Sequence, residues 1–344
     1  MSLSKIELDH FTVFDHLEIP LNSGINVFIG ENGTGKTHIM KLLYCACRAT
    51  EARTSFSHKI VRCFAPDGSA ISRLTTKQKG STKTTVKISA TLNDSPPKHL
   101  KINFHSKTKK WDAEVTGEEV WEKNFGESLS SVFIPAKEIL THAPQLIAAA
   151  DRIPLNFDDT YLDIITAATI DISLGRNEKK KDLQLKKLEE IIQGKVFFDK
   201  DTEAFYLKKG NSKLEFNLVS EGIKKIALLW QLAKNGALEP DSVLFWDEPE
   251  ANINPVHIPL VVELLLLLQE TGVQIFVATH SYVFAKYMEV LSKEQEKLKF
   301  HSLYKTADKG VQCETDNKFS YLENNDISSE NIKLYEKEIE RAME

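Results

Sequence analysis

The chain has 344 residues, 42% of them hydrophobic and 27% charged, with a formal net charge of −5. These are ordinary globular proportions, and the acidic balance excludes a globally basic nucleic-acid binder while leaving room for a local basic patch. Four cysteines (Cys45, Cys47, Cys63 and Cys313) lack both metal-ligand spacing and a secretory disulfide framework, so reduced, buried thiols are expected.

The N-terminal segment Met1–His10 has no basic stretch leading into an apolar one, and no signal peptide is expected. Short strands are predicted at 6–8, 11–19 and 25–29, the last a continuous apolar run of the kind a buried parallel strand needs. A Gly-rich turn follows, and then helical spacing over 39–46. Residues 84–92 and 100–105 alternate with period two around the turn 93–97, which predicts antiparallel strands with one wet face. A strand at 132–135 opens a mostly helical stretch to about residue 195. Strands return over 196–218 around Gly210-Asn211, and 221–234 reads as an amphipathic helix. The chain then resumes α/β order, with strands at 243–246 and 273–278 flanking a helix at 256–270. The apolar run Ile258–Leu268 is broken by Glu263 and falls far short of the roughly 20 residues that span a bilayer. It reads as a core helix, and a cytoplasmic protein with no membrane segment is expected. Strands near 300–304 and 311–314 and a charged terminal helix complete the chain.

The segment Gly30-Glu31-Asn32-Gly33-Thr34-Gly35-Lys36-Thr37 fits the P-loop pattern at every required position. Its glycines let the backbone curl so that successive N–H groups face a β-phosphate, which the following helix N-terminus also favours. Lys36 is expected to reach the β- and γ-phosphates of ATP and the Thr37 hydroxyl to bind Mg²⁺, with His38 closing the nucleotide-binding segment. The apolar run 243–246 ends in Asp247-Glu248-Pro249. At such a strand end the first carboxylate organises Mg²⁺ and its waters, and the second can orient or deprotonate the attacking water. An acidic turn after an ordinary strand looks the same in isolation; the P-loop one lobe upstream favours the catalytic reading. The strand at 273–278 ends in Thr279-His280-Ser281, where an imidazole can hydrogen-bond the γ-phosphate.

Taken together these residues resemble the ABC ATPase superfamily, and within it the branch of RecF, the structural-maintenance-of-chromosomes proteins and the overcoming-lysogenization-defect ATPases. The motif order is the same: Walker A at 30–37, a signature-like Val219-Ser220-Glu221-Gly222-Ile223-Lys224-Lys225, Walker B at 243–248, a D-loop at 250–255 and an H-loop at His280. The resemblance implies an α/β ABC head with a P-loop core, an antiparallel β-layer in lobe I and a helical lobe II. It implies head-to-tail dimers in which Ser220, Glu221 and Gly222 meet the nucleotide held by the other copy, with Asn252 and Asn254 of the D-loop crossing the same interface. Ser220 is placed to cap the helix starting near Glu221.

The pattern departs from the family in places. The signature is Val-Ser-Glu-Gly rather than Leu-Ser-Gly-Gly-Gln, and Asn254 stands where many relatives carry histidine. Lys137, Glu138 and Gln145 are the candidates for the Q-loop, while Phe11 and Phe14 are either adenine-stacking residues or core. The stretch between the two halves of the core is too short for a long coiled coil, and too little follows His280 for a Toprim nuclease domain, so any cutting activity is expected from a separate chain.

Lys77, Lys79, Lys83, Lys87, Lys107, Lys109, Lys110 and Trp111 fall in the β-rich region and would contact DNA or RNA if their faces converge; scattered solvent-facing lysines are the plainer reading. The run Lys179-Lys180-Lys181 sits among glutamates and reads as a solvated helix face. The expected organisation is lobe I over 1–135 with a β-rich insertion at about 50–130, helical lobe II over 136–240, a return to the core over 241–300 and C-terminal strands and helix over 301–344. The expected function is Mg²⁺-dependent ATP hydrolysis by a homodimer or higher homo-oligomer, switching a separate nuclease or toxin effector in phage defence or DNA maintenance. Two rivals are a nucleotide-locked scaffold with negligible turnover and a transporter subunit, which the missing Gly-Gly-Gln disfavours.

Overall fold

The apolar run at 25–29 becomes one of the middle strands of a six-stranded sheet around which the rest of the chain is laid. The computed structural model describes residues 2–49, 55–77, 80–92, 95–126, 130–152, 157–170 and 179–344. Lys79, Asn93 and Asp94 lie outside the described residues, as do the side chains of Lys179, Lys180 and Lys181.

A hairpin of β1 (Ser2–Phe11) and β2 (Phe14–Pro20) turns at Thr12-Val13, so the strand expected from residue 11 begins only at Phe14. β3 (Ile25–Gly30) runs through the Gly-rich turn into α1 (Lys36–Arg48), and α2 (Phe56–Phe64) follows. β4 (Lys83–Thr91), β5 (Lys98–His105) and β6 (Glu114–Thr116) then join the hairpin in an antiparallel sheet ordered β2-β1-β4-β5-β6, with Lys83 opposite His105 as the period-two pattern anticipates. α3 (Glu118–Phe125) closes this lobe. Neither α2 nor α3 is anticipated by alternation alone, because helices of nine and eight residues offer little more than two turns of periodicity.

β7 (Ser131–Ile134) leads into α4 (Ala143–Arg152), α5 (Asp159–Thr169) and α6 (Lys179–Ile192). A small antiparallel sheet of β8 (Lys195–Asp199), β9 (Ala204–Lys209) and β10 (Ser212–Glu215) turns at Gly210-Asn211, and α7 covers Glu221–Lys234 as expected, though Lys224–Ala233 are buried all round and leave it no wet face there. The remaining elements are β11 (Val243–Asp247), α8 (Ile258–Glu270), β12 (Gln274–Ala278), α9 (Tyr282–Leu291), β13 (Leu298–Thr306), β14 (Gly310–Asp316) and α10 (Asp326–Met343). The apolar run at 258–268 lies within α8, and no helix among the described residues is long and apolar enough to cross a membrane.

The six-stranded sheet is ordered β14-β13-β3-β12-β11-β7 and is parallel except for β14. It separates two apolar cores. Ile25, Val27, Ile29, Ile275 and Val277 share one with α5, α7 and α8, while Phe28, Phe276, Phe245 and Phe133 share the other with α1 and the antiparallel sheet. On that second face Phe133, Phe245 and Phe276 stack in a row, with neighbouring ring centroids 6.1 and 4.9 Å apart. Tyr44 of α1 meets Phe133 and Phe245 edge-on. Each such pair adds about 0.5–1.5 kcal/mol beyond its burial, so the helix that carries the Gly-rich turn is fixed to the strands that end beside it. The carboxyl ends of β3, β12 and β11 therefore lie side by side, the place where open α/β sheets bind ligands.

Candidate nucleotide site

The turn after β3 is held open by its own backbone. Gly35 has φ 89°, and a Cβ there would sit 2.3 Å from the Phe14 ring, so neither the conformation nor the space admits a side chain. The buried Thr34 hydroxyl donates to the Glu31 carbonyl at 2.8 Å and braces the curve. Lys36 folds back over the loop, its Nζ donating to the carbonyls of Gly30 at 2.8 Å and Glu31 at 2.9 Å. Burial brings its pKa down to about 8, against the opposing pull of Asp247, Glu248 and Glu250. One residue on, the Thr37 hydroxyl donates to Asp247 Oδ2 at 2.8 Å, which locks the loop onto the end of β11. The neighbouring His38 ring pairs with the Thr12 hydroxyl at 3.0 Å and packs against Phe64, and burial pushes its pKa down to about 4.

The two carboxylates at the end of β11 sit in different surroundings. Asp247 is 8% exposed, and burial raises its pKa to about 6 despite the Thr37 bond. Glu248 leaves 39% of its side chain exposed and places Oε1 3.7 Å from His280 Nε2. That distance is too long for a hydrogen bond and short enough for one water or oxyanion to bridge. Burial and Lys36 lower the His280 pKa, so the ring is neutral near pH 7. Glu248 also takes φ 48°, a left-handed backbone that costs a non-glycine residue about 1–3 kcal/mol. Its amide donates to the Ala278 carbonyl of β12 at 2.9 Å.

Two further charged groups converge here, Glu250 of the D-loop and Lys225 of the signature-like segment, which the motif pattern places at the interface with another copy rather than beside their own chain's carboxylates. Glu250 Oε1 accepts from the Thr279 hydroxyl at 2.6 Å and from the His280 amide at 3.1 Å, so it ties the two strand ends together. Its other oxygen is buried with no partner among the described residues, and burial raises its pKa. Lys225 of α7, 2% exposed, donates to the Glu248 carbonyl at 3.0 Å. The available signal was the Lys224-Lys225 pair on a helix whose next eight residues are all buried: two lysines next to so apolar a stretch need inward partners.

The signature-like segment lies at the start of the same helix. Ser220 and Glu221 are exposed, and Ser220 occupies the N-cap position, but its hydroxyl makes no cap bond and is left available. Gly222 packs so closely on the D-loop that a Cβ would lie 2.2 Å from the Asn252 carbonyl oxygen, and the Asn252 side chain donates to Glu221. Asn254 caps the turn leading into α8 by accepting from the Val256 amide at 3.1 Å. Leu218 and Val256 flank this surface at 69% and 71% exposure. Phe11 and Phe14 are fully buried, which makes both of them core. Of the Q-loop candidates, Glu138 is bound by Thr141 and faces Lys224 at 3.9 Å, while Lys137 and Gln145 are exposed. The lysines of the first lobe divide: Lys87 pairs with Glu7 at 2.9 Å in mid-sheet, whereas Lys107, Lys109 and Lys110 are exposed beyond the end of β5, beside Trp111.

A phosphate loop clasped to an acidic strand end, with a histidine at the end of the strand between them, is the arrangement of an ABC-type P-loop nucleotide site. Residues 25–285 match the family described as "AAA domain, putative AbiEii toxin, Type IV TA system", and the chain belongs to that family. Among curated proteins it is similar to the DNA replication and repair protein RecF of Lactococcus lactis subsp. cremoris (strain SK11), 27% identical over 103 residues that cover 30% of this chain and 28% of that one. RecF of Bacillus subtilis (strain 168) is 36% identical over 62 residues, covering 18% of this chain and 17% of the relative. The chain thus spans less than a third of the length of these relatives. In fold it is similar to an SMC head bound to the C-winged helix domain of ScpA, with a TM-score of 0.60 at 14% identity over 92% of this chain and 98% of that one. A second such head, derived from Pyrococcus furiosus and bound to the C-terminal domain of ScpA, gives a TM-score of 0.53 at 12% identity over 98% and 99% of the two chains.

Proposed function

We propose that two copies of this chain close head to tail over ATP, that Glu248 directs water at the γ-phosphate, and that the closed state regulates a separate effector in the cytoplasm. The observation that carries this reading is the Thr37–Asp247 bond, which brings the P-loop and the acidic strand end within 2.8 Å and leaves Glu248 facing open solvent beside them. Lys36 would leave the Gly30 and Glu31 carbonyls for the β- and γ-phosphate oxygens, a charge-assisted contact stronger than the two it gives up. Thr37 and Asp247 offer one hydroxyl and one carboxylate, hard oxygen donors that suit Mg²⁺, and the raised Asp247 pKa reflects a desolvated anion that a cation would relieve. Held by Thr37 and Asp247, Mg²⁺ would supply positive charge against the phosphates. Glu248 accepts the proton of the water as it attacks, and the neutral His280 can hydrogen-bond the γ-phosphate across from it.

Dimer closure is supported by the exposed Ser220 and Glu221, by the bond of Glu221 to Asn252, and by the flanking Leu218 and Val256, which would leave water in a closed pair. A separate effector is supported by the family description, which names a toxin–antitoxin system, and by SMC heads that carry a bound ScpA domain. RecF relatives with a replication and repair role, together with the exposed lysines beside Trp111, support action at nucleic acid. The test is Glu248→Gln, which keeps the shape of the side chain and removes the base. It should slow hydrolysis by about 10²–10⁴-fold and accumulate an ATP-bound dimer in sedimentation, and Ser220→Arg in the same background should return it to monomer. Normal turnover by Glu248→Gln refutes its role. Wild-type protein that binds ATP stoichiometrically without multiple turnovers would establish the locked scaffold instead.

A further inference from the structure

We infer that Lys225 is a positioning residue for hydrolysis: its ammonium group grips the backbone of Glu248 and thereby sets where that carboxylate points. The inference rests on Glu248 serving as the base.

Glu248 is held by both ends of its own backbone. Its amide donates to Ala278 at 2.9 Å, and its carbonyl accepts from Lys225 Nζ at 3.0 Å. Between those anchors the residue takes φ 48°, a conformation that persists in a non-glycine residue only where its surroundings impose it. The Ala278 bond is an ordinary continuation of the β11–β12 ladder, and the Ala251 amide closes the following turn on the same Glu248 carbonyl at 3.1 Å; Lys225 is the side chain that reaches this bend from another element. A lysine is an expensive choice for a site 2% exposed: burial lowers its pKa, and a neutral side chain would pack there at less cost. Its stem starts in the second turn of α7, whose first turn, Ser220–Gly222, is welded to the D-loop through the Gly222–Asn252 contact and the Asn252–Glu221 bond. The helix whose tip would meet the partner's nucleotide therefore grips, about a turn further on, the backbone of Glu248 in its own site. Movement at the tip would reach Glu248 through one hydrogen bond.

The experiment compares Lys225→Met, Lys225→Arg and Glu248→Gln, alone and with Lys225→Met added to Glu248→Gln, by single-turnover hydrolysis and by binding of a fluorescent ATP analogue. Lys225→Met should lower the hydrolysis rate at least tenfold with the analogue Kd changed less than twofold. Lys225→Arg, which restores a charged donor, should recover to within about fivefold of wild type, as one charge-assisted bond is exchanged for another. Added to Glu248→Gln, Lys225→Met should cause no further loss, because it acts through the same carboxylate. The inference is overturned by a normal rate in Lys225→Met, by a multiplicative loss in the double variant, or by a loss in the arginine variant equal to that in the methionine one. Should Lys225→Met fail to fold, the arginine variant alone decides. If Glu248→Gln itself turns over normally, the failure belongs to the assignment of the base and not to Lys225.

Discussion

Between α2 and α5, Lys59 donates to Asp159 at 2.9 Å and to Asp163 at 2.7 Å; Arg62 takes the other oxygen of Asp159, and the Tyr44 hydroxyl donates to Asp163 at 2.6 Å. The nucleotide site is built from the same residue types at similar depth, yet Lys36 reaches only backbone carbonyls, Asp247 holds one hydroxyl, and Glu250 keeps a buried oxygen without a partner among the described residues. The titration of the two regions diverges accordingly. Burial opposes the Lys59 charge, but Cys63 and the facing carboxylates outweigh it and hold its pKa above the ordinary value. Burial wins at Lys36, brought down to about 8, and at Asp247, raised to about 6. Saturated charges make a seam between the lobes; under-partnered ones make a site that a polyanion and a cation would complete. The seam also touches the P-loop helix, because Lys41 and Tyr44 of α1 bind Asp158 and Asp163 of the second lobe.

The contrast can be broken by removing one member from each region. Lys59→Met leaves Asp159 with Arg62 and Asp163 with the Tyr44 hydroxyl and Arg48 at 3.7 Å but removes the buried cation they share, and unfolding in urea should show a loss of about 3 kcal/mol; a loss below about 1 kcal/mol would class the seam with surface ion pairs. At the site the same operation should act on ligand and not on fold. Lys36→Ala should weaken ATP binding about tenfold to a hundredfold by calorimetry, the worth of one hydrogen bond to a charged group, while the melting temperature of the nucleotide-free protein does not fall.

Asp247→Asn sharpens the comparison further, since it should raise the stability of the Mg²⁺-free protein while abolishing hydrolysis. The sign follows from the raised pKa. The Asp247 contribution to stability is fully present below its unfolded value near 3.9 and is lost as pH rises through about 6. The variant should therefore match wild type at about pH 4 and exceed it above about pH 6, by an amount on the order of 2 kcal/mol. Denaturant titrations at the two pH values would check this, and a pH-independent difference would remove the charge from the explanation.

How much of this could be read in advance differs from element to element. The Gly30–Thr37 cradle, the strand ending in Asp247-Glu248 and the helix 221–234 are legible because each is specified locally. Glycine spacing, an apolar run and a 3.6-residue period are properties of neighbouring residues, and they persist wherever the segment is placed. Helices α2 and α3 are too short for that signal. The Lys59 seam joins residues about a hundred positions apart, so no window of sequence contains it.

Lys225 and Glu250 mark the limit most clearly. Each stands at one end of a recognisable motif, Lys225 closing the signature-like segment and Glu250 opening the D-loop, and nothing in its own neighbourhood says which way it points. The sequence by itself determined the fold class, the phosphate loop and the identity of the acidic pair, because those rest on periodicity and on backbone-permissive residues. Only the tertiary structure decided that Asp247 is buried while Glu248 stays open, that Glu250 bridges two strand ends, and that a lysine from the second lobe holds the Glu248 backbone. Burial and long-range pairing are properties of the assembled chain, and a side chain's protonation and direction follow from them.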